Sequence, residues 1–228
     1  MRPTVTYFSD VLCVWAYVSQ ARLDQLANEF GDRIDIEEKF CSVFPDARTK
    51  TAKAWAQKGG YDAMNSTFQK ITSKFPHVSV HEDVWTKTQP RTSTSVHLFL
   101  KAIQMLDEDN SAEGGAFIDA TSTKAIRQFR SAFFAEARDI ANWNVQCEIA
   151  EELGLDVDHI KAKIHSSEAT ARLDADLNLA TQLGVKGSPT FVMNEGRQVL
   201  FGNVGYKLIE ANVQELFRAP HADAASWC

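Results

Sequence analysis

Apolar and polar positions change period along the chain, and the changes mark its elements. Thr4 to Phe8 is a run of β-branched and aromatic residues and predicts a strand. Beyond it, Ala16, Leu23, Leu26, Ala27 and Phe30 share one helical face, with Gly31 as the stop. Ile34 to Phe40 then alternates as a second strand. A helix-length crossover between two strands makes them parallel neighbours connected in the right-handed sense. Parallel strands end on one edge of a sheet, so Cys13 and Cys41 are expected on the same edge.

From Pro45 to about Leu183 the pattern is helical. Val96, Phe99, Leu100 and Ile103 form one stripe, and Ile126, Phe129 and Phe133 a second; Val145, Ile149 and Leu153 form a third, and Val157, Ile160 and Ile164 a fourth. Gly154 and Gly184 follow apolar runs where helix C-caps are expected. Asp107 to Gly115 is polar and predicts an exposed loop, while Pro76 to Pro90 lacks a period and is expected to cross the top of the site. Thr190 to Met193 and Val199 to Phe201 predict a hairpin around Asn194-Glu195-Gly196, and Ile209, Val213 and Leu216 mark the last helix. The chain thus divides into an α/β core, β-α-β … β-β-α, from residues 1–44 and 184–220. A helical insertion spans 45–183, and a tail spans 221–228.

Composition narrows the function. At 228 residues and 44% apolar, the chain can bury a sizeable core. A net charge of −6 argues against nucleic acid or an anionic membrane as the main partner. Without a spanning segment or a leader pattern, a cytoplasmic protein is expected. Its four cysteines, Cys13, Cys41, Cys147 and Cys228, lack metal-ligand spacing and are expected as free thiols, with no metal and no bound cofactor.

Cys13 falls where the first strand gives way to a helix. Unpaired N–H groups and the helix dipole favour thiolate there, which suits a nucleophile; the alternative is a small buried apolar residue. The segment Ser9-Asp10-Val11-Leu12-Cys13-Val14-Trp15-Ala16-Tyr17 resembles the active-site turn of the DsbA-like thioredoxin-fold family, closest to its FrnE-type members, which read Ser-Asp-Val-Val-Cys-Pro-Trp-Cys-Tyr. Val14 replaces the family's proline and Ala16 its second cysteine, so chemistry at this turn is monothiol.

Gly184-Val185-Lys186-Gly187-Ser188-Pro189-Thr190-Phe191-Val192 is similar to the same family's cis-proline loop. The resemblance implies that Ser188 and Pro189 sit beside Cys13 and present backbone groups to an extended thiol-bearing ligand. Phe134 to Ile140 and Glu148 to Asp156 resemble the helical insertion of FrnE-type and 2-hydroxychromene-2-carboxylate isomerase-type proteins, which covers the cysteine turn and makes a cleft. Thr92 to Leu98 resembles their helix start and would aim His97 near that cleft; the alternative is a helix histidine hydrogen-bonded to backbone.

Gly202-Asn203-Val204-Gly205-Tyr206 lacks the Asp-Arg pair with which glutathione-using relatives hold the peptide's charged end, and those relatives carry serine where this chain has Cys13. The resemblance implies a thiol-disulfide oxidoreductase working through Cys13 alone, with Trp15, His97, Ser188 and Pro189 as substrate-binding candidates. Cys41 and Cys228 are the candidate resolving thiols, and Cys147 is expected to be inert packing. A small-molecule thiol or disulfide, or a protein disulfide, is the expected partner; glutathione is the candidate co-substrate, and a homodimer is allowed. The alternatives are a kappa-class glutathione transferase or chromene carboxylate isomerase activity, or a redox-inactive binding member of the fold.

Overall fold

Four strands are found among the residues that the computed structural model describes, 2–110 and 116–217. They are β1 (Thr4–Ser9), β2 (Asp35–Phe40), β3 (Thr190–Met193) and β4 (Gln198–Phe201), in the order β2-β1-β3-β4. β1 and β2 run parallel, from Thr4 opposite Asp35 to Ser9 opposite Phe40. β3 is antiparallel to both β1 and β4. The β1–β2 crossover is α1 (Val14–Phe30). The last helix, of which Ile209 and Val213 are buried, is Tyr206–Glu215.

One face of the sheet buries Val5, Tyr7, Phe191 and Met193 against Leu23, Leu26 and Phe30 of α1 and Ile209 and Val213 of the last helix. On the other face, Phe8, Cys41 and Val192 pack with Ala180. These layers make the β-α-β … β-β-α thioredoxin-like arrangement.

Between β2 and β3 the helices are α2 (Ala47–Trp55), α3 (Gly60–Thr72), α4 (Thr94–Asn110), α5 (Thr121–Phe134), α6 (Trp143–Glu152), α7 (Val157–His165) and α8 (Glu168–Gln182); the last helix is then α9. The predicted stripes meet in one apolar cluster, where Val96, Phe99, Leu100, Ile103, Ile126, Phe129 and Phe133 are buried. Val11, Leu12, Val14 and Tyr17, which flank Cys13, belong to that cluster too. The cysteine turn is therefore built on the insertion's core as much as on the sheet. Gly154 and Gly184 adopt positive φ just past α6 and α8, where a side chain would be strained, and the next residues close the helix ends through Leu155 N–H to Ala150 O and Val185 N–H to Ala180 O.

Two polar ties bind the insertion to β2. Lys101 of α4 pairs with Asp176 of α8 at 2.5 Å, and Asp176 Oδ2 accepts the outward Phe40 N–H at 3.1 Å. Arg130 of α5 donates to Glu38 at 3.1 Å and to Ser9 Oγ at 2.6 Å, with both charged side chains buried.

The loop expected from Asp107 to Gly115 begins later than its polarity suggests. α4 continues through Asn110, and Asp107 Oδ2 accepts from Ser122 N and Oγ at the start of α5. That role explains an acidic residue within the helix; residues 111–115 lie outside those described. The segment Pro76 to Pro90 holds no helix or strand, only a bridge between Val84 and Thr88. Its start lies against α1, where His77 Nε2 is 2.9 Å from Val18 O.

Candidate active site

The chain leaves β1 and turns sharply, with Cys13 N–H donating to Asp10 O at 3.0 Å. Cys13 is the N-cap of α1 in extended conformation, and its carbonyl accepts from Tyr17 N–H at 3.1 Å. Its side chain makes no capping bond; the thiol instead donates to Ser188 O at 3.2 Å, across 175 residues of sequence. The Ser188–Pro189 peptide bond is cis. Ser188 Oγ accepts the Asp10 N–H at 2.8 Å, so the end of β1 and the approach to β3 are joined twice.

Burial pushes the Cys13 thiol up, since only 7% of the residue is exposed. The Ser188 side chain and the N–H groups of Ala16 and Trp15 act the other way, and the nearby Asp10 charge adds to the rise. The expectation that the helix start would favour thiolate is thus corrected. The helix-start groups are present, but removal from water outweighs them in this conformation.

Asp10, fully buried, organises the turn. Its Oδ1 accepts from Leu12 N–H at 3.0 Å. Oδ2 accepts from Val43 N–H at 3.0 Å, Phe44 N–H at 2.9 Å and Ser93 Oγ at 2.8 Å. These donors suit the site, because an unpaired carboxylate in dry surroundings is costly. Asp10 and Ser93 were not singled out from the sequence. Asp10 does stand in the Ser9–Tyr17 motif, an acidic residue within an apolar stretch, but three of its partners are distant in the chain.

His97 is 2% exposed and faces the turn from below, not an open cleft. Its Nε2 accepts Val11 N–H at 3.1 Å and lies 3.7 Å from Asp10 Oδ1, while the ring stacks on Phe40. Burial lowers its basicity, and a nitrogen that accepts an amide hydrogen must be unprotonated. As a direct substrate contact, His97 is corrected: it is sealed beneath the backbone.

Trp15 is half-buried, with Phe75 edge-on to its ring at a centroid distance of 6.4 Å. Cys41 follows β2 and its N–H donates to Ser9 O at 3.0 Å, so both thiols follow neighbouring parallel strands. Burial raises the Cys41 thiol strongly, and its chemistry is suppressed as it stands. Cys147 is a half-buried free thiol packed against the insertion core. Cys228 and the tail from residue 221 lie outside the described residues.

A cavity of about 220 Å³ opens beside Cys41, with Ser42, Lys50, Thr181, Lys186 and Gly187 in its wall. Among the described residues no group of three or more His, Cys, Asp or Glu side chains is placed to hold a metal ion, and no helix is long and apolar enough to cross a membrane. The arrangement provides one sulfur, a backbone carbonyl facing it, and helix-start N–H groups able to stabilise negative charge on that sulfur.

A family model described as DSBA-like thioredoxin domain matches residues 4–214. The ClpXP adapter protein SpxH of Bacillus subtilis (strain 168) is 29% identical over 97 residues, covering 40% of this chain and 32% of SpxH, so the match spans about a third of that relative. The solved structure of probable DsbA oxidoreductase SCO1869 from Streptomyces coelicolor has a TM-score of 0.73 at 18% identity, covering 98% of this chain and 94% of that one. Cytosolic disulfide reductase DsbM from Pseudomonas aeruginosa, solved with GSH, gives 0.64 at 20% identity, covering 92% and 99%. With β1 through nearly all of α9 inside the family match, this chain belongs to the DSBA-like thioredoxin domain family.

Proposed function

We propose that the protein is a thiol-disulfide oxidoreductase working through Cys13 alone. The observation that carries this reading is the 3.2 Å contact between Cys13 Sγ and Ser188 O at the start of α1. An incoming disulfide takes the place of Ser188 O as the partner of the Cys13 sulfur, and the Trp15 and Ala16 N–H groups at the helix start stabilise the thiolate as the proton leaves to water. The thiolate attacks one sulfur of the disulfide, the S–S bond breaks, and the other half leaves as a thiolate that takes a proton from water, balancing the one Cys13 gave up. Cys13 is left in a mixed disulfide with the retained half.

Ala16 stands where an internal resolving thiol would be, so a second, external thiol attacks that half and frees Cys13. Glutathione suits this step, and Lys50 and Lys186, which line the neighbouring cavity, add positive charge there that favours an anionic thiol over a neutral one.

A second reading has its own support. The deep burial of Cys13 and the similarity to a relative named as an adapter protein suit a member of the fold that binds a partner without turnover. Reduction of a small mixed disulfide by glutathione, coupled to glutathione reductase, separates the two. The wild type should turn over and Cys13→Ser should not, while Ala16→Cys should gain insulin reduction with dithiothreitol in place of glutathione as the reductant. Absence of turnover, with no adduct on Cys13 in the intact mass, would leave the binding reading in its place.

A further inference from the structure

The Asp10 carboxylate is more elaborately held than a chain turn needs. It accepts four hydrogen bonds, from the cysteine turn itself (Leu12), from the segment after β2 (Val43 and Phe44) and from the approach to α4 (Ser93). Its own N–H is fixed on Ser188 Oγ, one residue from the cis bond. Every backbone segment that converges on the sulfur is therefore tied through this residue. Resting on Cys13 as the working thiol, we propose that Asp10 is the positioning residue of the site. It holds the Cys13 sulfur against Ser188 O and makes the cysteine's reactivity depend on where the insertion sits.

Three observations favour this over a purely structural role. First, Val43 and Phe44 spend their N–H groups on Asp10 Oδ2, so the segment leading from β2 into the insertion is positioned by the same atom that receives Ser93. Second, α4 reaches the turn twice, since His97 takes the Val11 N–H directly beside Asp10. Displacement of α4 would therefore loosen residues 10–12 together. Third, the carboxylate is close enough to the sulfur to oppose its ionisation, so the residue acts on charge as well as shape. The groups bearing on the sulfur are Asp10, the Ser188 hydroxyl and carbonyl, the N–H groups of Trp15 and Ala16, and the Cys41 thiol and Tyr7 hydroxyl, whose charges couple to it.

The test is the rate of Cys13 alkylation by iodoacetamide across pH, with the adduct located by peptide mass spectrometry on the full chain. The pH midpoint reports the charge around the sulfur, and the plateau rate at high pH reports access to it. Asp10→Asn removes the opposing charge and replaces an acceptor with an amide donor facing other donors. It should lower the midpoint by about one pH unit, roughly tenfold faster alkylation near neutral pH. Ser93→Ala keeps the charge and removes one anchor from the insertion. It should raise the plateau about twofold to threefold with a much smaller midpoint shift, because one hydroxyl donor to the carboxylate is lost while its charge stays.

A folded Asp10→Asn chain with the wild-type midpoint, or a folded Ser93→Ala chain with the wild-type plateau, overturns the proposal. Should Asp10→Asn fail to fold, Ser93→Ala decides, and a wild-type plateau overturns it. Alkylation needs no turnover, so shifted profiles in a protein without disulfide activity would remove the oxidoreductase reading and leave the positioning role standing.

Discussion

Two of the buried polar places that fasten the insertion to the sheet work in different ways. At the sheet edge, Asp10 draws in backbone N–H groups and a hydroxyl, and each donor has a direction set by the chain itself. Deeper in, Arg130 and Glu38 join α5 to β2 as opposite charges, with Ser9 and Gln20 completing three of the guanidinium's bonds. Among the described residues Arg130 Nε finds no acceptor. The first arrangement specifies a geometry, whereas the second supplies attachment with a coarser fit. Directional bonds are concentrated around the turn that carries the sulfur.

Arg130→Ala should produce the largest change in stability. It leaves Glu38 buried without its partner, which costs about 3–5 kcal/mol. Urea unfolding should show that loss while the pH midpoint of Cys13 alkylation moves far less than in Asp10→Asn. An equal movement would erase the distinction between the two fastenings.

At the edge, His97→Phe should keep the stack on Phe40 but strand the Val11 N–H, at a cost of about 1–3 kcal/mol. The same residue gives a pH signature. Burial lowers its folded-state basicity below the ordinary value of 6.5, so below that value the unfolded chain takes up the proton more readily. The His97 contribution is complete above about pH 6.5 and declines as the pH falls toward the lowered value. Unfolding midpoints at pH 7.5 and 5.0 should differ by less in His97→Phe than in the wild type; an unchanged difference would assign the acid sensitivity to other groups.

The smallest effect is expected at Arg138, which pairs with Glu136, Glu148 and Glu152 near the surface and ties the insertion only to itself. Arg138→Ala should cost under about 1 kcal/mol, and less in high salt. A cost approaching that of Arg130→Ala would show that reaching the sheet is not what makes an ion pair matter here.

The fold was legible wherever a local period carried it. Thr4 to Phe8 and Ile34 to Phe40 announce their strands, and the crossover between them dictates that they run parallel. The meeting of Cys13 and Ser188 was legible for another reason, since both lie in short motifs whose family spelling can be recognised. Asp10 belongs to the first of those motifs, but the motif does not say what its carboxylate binds. Its partners lie 2, 33, 34 and 83 residues away, and no periodicity links them.

Trp85 was hidden similarly: it is fully buried with φ of 64° in a segment without period, where only packing from several helices accounts for so bulky a side chain. The direction of the Cys13 thiol depended on depth as well as location. A helix start can be read from residue order, but the amount of protein above it cannot.

The 175 residues separating Cys13 from Ser188 have a consequence for biogenesis. During synthesis the sulfur emerges early, while the strand that completes its surroundings is made near the end. Helical hairpins of the insertion can form from local contacts in the meantime, but closing β1 against β3 requires a large loop to come together. A nascent chain arrested before Ser188 therefore carries an unguarded thiol, open to adventitious oxidation or to capture by chaperones, until translation supplies its cover.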